Sequence, residues 1–82
     1  MSKSFSNPIR RSAAELLYKH GKVRFTEIKE KLGIEDPTKL SFHLRILKSQ
    51  GVAEQDESKI YYLTDAGRKA FKAFTRLKKG TN

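Results

Sequence analysis

Four side chains between Asp36 and Val52, in the run DPTKLSFHLRILKSQGV, have the types and spacing to do chemistry: Lys39, Ser41, Phe42 and Arg45. Lysine and arginine donate to phosphate and to the acceptor edges of bases. Serine does either, and an exposed phenylalanine meets apolar groups. The run opens like a helix: Asp36 suits the cap, and Pro37 the first helical position, where its missing N–H costs nothing. Gly51 suits the close. Leu40, Leu44 and Leu47 recur at helical spacing and form one apolar stripe. At roughly 100° per residue the opposite side carries Thr38, Lys39, Phe42, Arg45 and Ser49. Ser41 and Lys48 fall on one border and His43 on the other. A helix anchored along one edge and carrying donors and cations along the other suits a DNA major groove. An ordinary amphipathic surface helix has the same pattern, so the rest of the chain must decide.

The elements that would position this helix are short. Eighty-two residues make one domain, which buries only roughly 60–65% of its unfolded surface and gains from a partner subunit. Residues 1–6 are small and polar and are expected to be a disordered tail, with the domain over 7–79 and a second tail at 80–82. Asn7 and Pro8 repeat the cap-and-proline start of a helix running to about His20, with Ile9, Ala13, Leu16 and Leu17 on its apolar face and Gly21 as its stop. Residues 21–25 form an extended link in which Val23 and Phe25 alternate. Thr26 is expected to cap a helix containing Ile28 and Leu32 that ends at Gly33. A short helix, a glycine turn and a longer helix make a helix-turn-helix, in which the first helix braces the second.

Residues 52–55 and 59–63 read as a β-hairpin around the tip Asp56-Glu57-Ser58. Lys59 is its candidate cation, yet Glu54, Asp56 and Glu57 would be repelled by phosphate. Either the tip stands off a polyanion or nearby lysines pair with these acids. Thr64 and Asp65 start the last helix, which runs to about Lys79. Ala66, Ala70, Phe74 and Leu77 make its stripe, widened by Phe71 and Ala73. These rings either close the core or contact a second copy, and the surplus of apolar surface favours the second copy, with Ile9, Phe71, Phe74 and Leu77 in the contact.

Bulk composition narrows the classes. Eighteen Lys and Arg against nine Asp and Glu give a net charge of +9, which draws the chain to polyanions. Arg10, Arg11, Lys22, Arg24, Lys29, Lys48 and Lys59 are phosphate candidates. There is no cysteine, so disulfides and thiolate metal sites are excluded, and a reducing, cytoplasmic setting fits. No apolar run approaches the roughly 20 residues of a membrane span, and the start of the chain lacks a signal peptide's apolar core. No nucleophile–base–acid set, phosphate-cradling loop, metal-ligand set or small-molecule site is evident, so neither an enzyme nor a cofactor is expected.

Four stretches carry a family resemblance. Asn7-Pro8-Ile9-Arg10-Arg11 is similar to an opening "NPxRR". Phe25-Thr26-Glu27-Ile28 with Leu32-Gly33 is similar to a first-helix pattern "fTelaexLG". The run from Leu40 to Leu47, with Gly51-Val52, is similar to "lSxHLxxLxxaGlv". The segment from Tyr62 to Arg68 is similar to "YxLTxxGrxa". In this order they cover about residues 7–77, and the chain resembles the winged-helix transcription regulators of the ArsR/MarR type found in archaea and bacteria. The resemblance implies a mainly α (α+β) winged helix-turn-helix fold: a three-helix core, a β-hairpin wing, and a homodimer built from the first and last helices. It further implies sequence-specific binding of double-stranded DNA by residues matching Lys39, Ser41, Phe42 and Arg45. Metal-sensing relatives use clusters of cysteine and histidine, whereas this chain has only His20 and His43. The loop before Pro37 is one residue longer than the pattern. Winged helices also serve as protein–protein adaptors in transcription machinery, and the basic outer face of the Asp36–Gly51 helix argues for DNA.

Overall fold

The computed structural model describes residues 5–80, with side chains as far as Leu77. Its elements run α1 (Pro8–His20), β1 (Val23–Arg24), α2 (Phe25–Leu32), α3 (Pro37–Ser49), β2 (Ala53–Gln55), β3 (Ile60–Leu63) and α4 (Asp65–Gly80). The three strands form an antiparallel sheet in the order β1-β3-β2. This is the expected winged helix-turn-helix, and the link after α1 supplies the third strand.

Local chemistry sets most element ends. Asn7 Oδ1 accepts from the backbone N–H groups of Ile9 at 2.8 Å and Arg10 at 3.4 Å, and Pro8 holds the first helical position. Asp36 Oδ1 does the same for Thr38 N–H at 2.9 Å, and Thr64 Oγ1 for Gly67 N–H at 2.9 Å. Each side chain satisfies a donor that a helix start leaves open. The turn between α2 and α3 is a Schellman motif. Ile34 N–H donates to Lys29 C=O and Gly33 N–H to Glu30 C=O, both at 3.1 Å. The turn requires φ +67° at Gly33, which a side chain would resist.

Three expectations are corrected. Thr26 does not cap α2. The helix begins two residues earlier than such a cap would set it, at Phe25, and Glu27 Oε1 accepts from Arg24 N–H at 3.4 Å. The acid therefore stands at the third helical position, where a cap at Thr26 would set a lysine. Phe25 accordingly opens a helix and does not extend the strand. Of the expected tail 1–6, residues 1–4 lie outside the described residues, but Phe5 is buried. Its ring meets Phe71 edge-on at 5.7 Å and Phe74 at 5.2 Å. An aromatic just ahead of a helix can reach back to cover a neighbouring helix, and sequence order does not show which one. Third, Phe71 is itself buried, packed against Phe5 and Tyr18 of its own chain, which removes it from the candidate dimer surface. Of the expected 80–82 tail, Gly80 ends α4 and the last two residues lie outside the described ones.

The core is built where α1 crosses the other three helices and β3. Leu17, Ile28, Leu40, Leu44 and Leu47 are wholly buried there, each worth about 2 kcal/mol of burial. Three of these five lie on α3, so the solvent side of that helix is held by its opposite side. In the hairpin, Tyr61 and Leu63 face inward. The tip is a three-residue turn: Asp56 N–H donates to Ile60 C=O at 3.0 Å and Lys59 N–H to Asp56 C=O at 2.9 Å. Lys59 takes φ +64°, the left-handed position such a turn needs.

Candidate nucleic-acid interface

On α3 the buried residues are Leu40, His43, Leu44 and Leu47. Thr38, Lys39, Phe42 and Arg45 are exposed, and Ser41 is half-buried at the border. Thr38, Phe42, Arg45 and Ser49 follow one another at steps of four, three and four residues, which places them along the line opposite the leucines. Phe42 keeps 53% of its surface exposed, unusual for so large an apolar side chain on an otherwise polar face. A shallow groove is lined by Phe25, Pro37, Thr38, Ser41, Phe42 and Arg45. The structure thus brings together the expected α3 residues other than Lys39 and adds Phe25 and Pro37. The sequence signal for Phe25 is the acid at position 27, which marks a helix starting beside this groove.

His43 is inside this surface and not at its border, being only 7% exposed. Its Nδ1 lies 2.9 Å from Arg10 Nη1. Arginine has no acceptor, so the guanidinium donates, Nδ1 accepts, and the ring is neutral with its proton on Nε2. Burial and, secondarily, the positive charges of Arg10 and Lys39 push the ring's pKa below its ordinary value. The bond joins α1 to α3, so Arg10, expected on phosphate, has its head turned to bracing the exposed helix. In the unfolded chain His43 takes a proton near pH 6.5, and in the folded chain only at lower pH. Its contribution to stability is therefore full above that value and lost as pH falls below it. Urea midpoints measured between about pH 7.5 and 5.5 should fall toward the acid side, and the fall should shrink in His43→Gln.

The other phosphate candidates divide into two groups. Three surround the hairpin end. Lys22 Nζ lies 3.9 Å from Asp56 Oδ2 and over the Tyr62 ring. Lys48 Nζ donates to Gln55 Oε1 at 3.3 Å. Lys59 stands exposed at the tip, its carbonyl accepting from Gln55 Nε2 at 3.4 Å. Gln55 thus ties the end of α3 to the hairpin, a role invisible in the sequence because it depends on strand register. Asp56 spends one carboxylate oxygen on Ser58 N–H and Ile60 N–H and offers the other to Lys22, so its charge is partly answered. Glu54 and Glu57 remain exposed. In the second group, Arg24 is exposed on β1, while Arg11 on α1 and Lys29 on α2 are half-buried.

A braced helix with a polar, cationic outer line, preceded by a glycine turn and followed by a hairpin, defines a winged helix-turn-helix domain. The chain belongs to the family described as the domain of unknown function DUF7347, whose model matches residues 3–74. No curated protein sequence matches it. Among solved structures it is similar to the transcriptional repressor BigR from Xylella fastidiosa (TM-score 0.77, 26% identity, covering 98% of this chain and 81% of that one). It is also similar to the quinone-bound YodB from B. subtilis (TM-score 0.74, 24% identity, 96% and 82%). A third similar structure is a mutant form of ZitR from Lactococcus lactis (TM-score 0.73, 18% identity, covering 99% of this chain), of which this chain spans 58%. Among the described residues no helix is long and apolar enough to cross a membrane.

Proposed function

We propose that this domain is a double-stranded-DNA-binding transcription regulator, sequence-specific and acting as a homodimer in the cytoplasm, with α3 in the major groove. The observation that carries the reading is the line Thr38–Phe42–Arg45, turned to solvent opposite three wholly buried leucines. The similarity to a solved transcriptional repressor over nearly the whole chain supports it. Arg45 pairs with guanine O6 and N7, a contact worth about 1–3 kcal/mol of discrimination. Thr38, Lys39 and Ser41 reach neighbouring bases or phosphates. Arg11, Lys22, Arg24, Lys29, Lys48 and Lys59 supply the phosphate contacts that hold register. This is a binding module, not an enzyme.

Selection from random duplexes should return a common site. On that site Arg45→Ala should lose preference over unrelated duplex by roughly tenfold or more, and Lys29→Ala should weaken all duplexes alike. Equal losses on every sequence for both variants would remove the assignment of α3 as reader. A protein that binds no duplex at low salt would be an adaptor instead.

The homodimer rests on apolar surface left on the first and last helices. Leu77 is 60% exposed and flanked by Ala73 and the basic side chains of Lys69, Lys72 and Arg76. Ile9 is half-buried in a groove with Pro8, Ser12, Leu32 and Ile34. Phe74, partly buried against Phe5, forms the edge between core and this surface. A dimer would set two α3 helices about 34 Å apart, one helical turn of DNA. Sedimentation should give twice the 9.4 kDa chain mass, and Leu77→Asp should return it to the monomer. A monomeric wild type would sink the dimer.

A further inference from the structure

We propose that Phe42 makes this domain a reader of the 5-methyl group of a pyrimidine, so that cytosine methylation within its site tunes binding. The inference rests on the DNA-binding reading above and names what the centre of that surface recognises. Phe42 lies on the outermost line of α3, between Thr38 one turn before and Arg45 one turn after, so on docking it faces the groove. Its ring is held edge-on against the His43 ring, at 5.2 Å and 72°, and His43 is itself pinned by Arg10. Phe25 and Pro37 line the same groove, so an apolar floor lies beside the ring. This is a set apolar surface, not a loose side chain.

The major groove presents acceptors, amino donors and one apolar feature, the C5-methyl group of thymine. A ring driven into that groove over a hydrogen-bonding edge would strip water from polar atoms without replacing their bonds, which costs free energy. Over a methyl group it removes apolar surface from water on both sides. Cytosine lacks this methyl and 5-methylcytosine carries it at the same ring position, so the surface separates those two bases as well. Arg45 follows Phe42 by three residues, about 4.5 Å along the helix axis. That is little more than one base-pair rise of about 3.4 Å, so the methylated pyrimidine neighbours the guanine read by Arg45.

The test uses the full chain and the duplex returned by selection. Each thymine is replaced in turn by uracil, which differs only in lacking the methyl, and each cytosine in turn by 5-methylcytosine. One position per half-site should weaken roughly fourfold with uracil, the value of one methyl removed from water. With a cytosine placed at that position, methylation should restore the same factor. Phe42→Ala should abolish both differences, and Phe42→Leu should keep part of them. Specific binding with no uracil-sensitive position overturns the inference and leaves the regulator reading intact. So does uracil sensitivity that persists in Phe42→Ala, which would come from duplex stiffness. A selection that returns no duplex overturns the regulator reading, and this inference with it.

Discussion

Raising salt from about 50 to about 200 mM is expected to weaken duplex binding by at least about a thousandfold. Six cations spread over five elements of the chain carry this expectation: Arg11 on α1, Lys22 and Arg24 at the β1 edge, Lys29 on α2, Lys48 at the end of α3, and Lys59 at the hairpin tip. Each phosphate neutralised releases condensed counterions, so affinity falls with a log–log slope of roughly 0.9 per contact, or about 5 for the six contacts of one chain and about twice that for a dimer. Competing pairs inside the protein are too weak to hold these cations back. The Lys22–Asp56 separation is 3.9 Å with a lysine side chain 65% exposed, and exposed pairs contribute little. Anisotropy titrations across the salt range give the slope directly, and Lys29→Ala should reduce it by about one per bound chain. A slope below about two would mean that these side chains do not lie along a DNA backbone.

Gly67→Ala should cost about 3 kcal/mol and lower the melting temperature by roughly 15 °C. The position is where the start of α4 meets the residue entering β2. A Cβ placed on Gly67 would overlap the Val52 carbonyl oxygen and stand 2.8 Å from its carbon and 3.0 Å from its Cα. That carbonyl cannot simply swing away. It accepts from Thr64 N–H at 3.0 Å and from Thr64 Oγ1 at 3.3 Å, and Thr64 Oγ1 in turn accepts from Gly67 N–H. The contact is against backbone, so relieving it displaces a strand end or the first turn of α4. In an open helix, alanine would be favoured over glycine by about 1 kcal/mol. The sign of the measured change is therefore decisive: a variant melting at or above the wild type would show that α4 does not sit against Val52. Val52 closely follows α3, so the same variant should loosen the seating of the reading helix and weaken DNA binding through misplacement.

How far the sequence can be read depends on the range of the interaction concerned. Asn7, Asp36 and Thr64 cap helices by bonding to amides two or three residues away, and the buried leucines of α3 lie three to four residues apart. Such short-range chemistry is written in the order of the residues. The start of α2 falls two residues from its expected place because Thr26 has a cap's side chain and Arg24 does not, while the deciding bond runs back from Glu27 to the Arg24 amide. The expected base-contact face is legible because burying one side of an amphipathic helix dictates what the other side shows. Its apolar floor is not legible, since Phe25 and Pro37 reach the groove from two different helices.

By itself the amino-acid order determined that a helix-turn-helix would form, that a hairpin would follow it, and that Lys39, Phe42 and Arg45 would face solvent. Only the tertiary structure decided that His43 is neutral and bonded to Arg10 across 33 positions of chain, that Phe5 and Phe71 close the core of the single chain, and that Gln55 joins α3 to the hairpin. The physical reason is that periodicity and capping act within a turn or two of backbone. Which distant side chains meet is set by how whole helices pack, and a burial pattern constrains that packing without naming the partners.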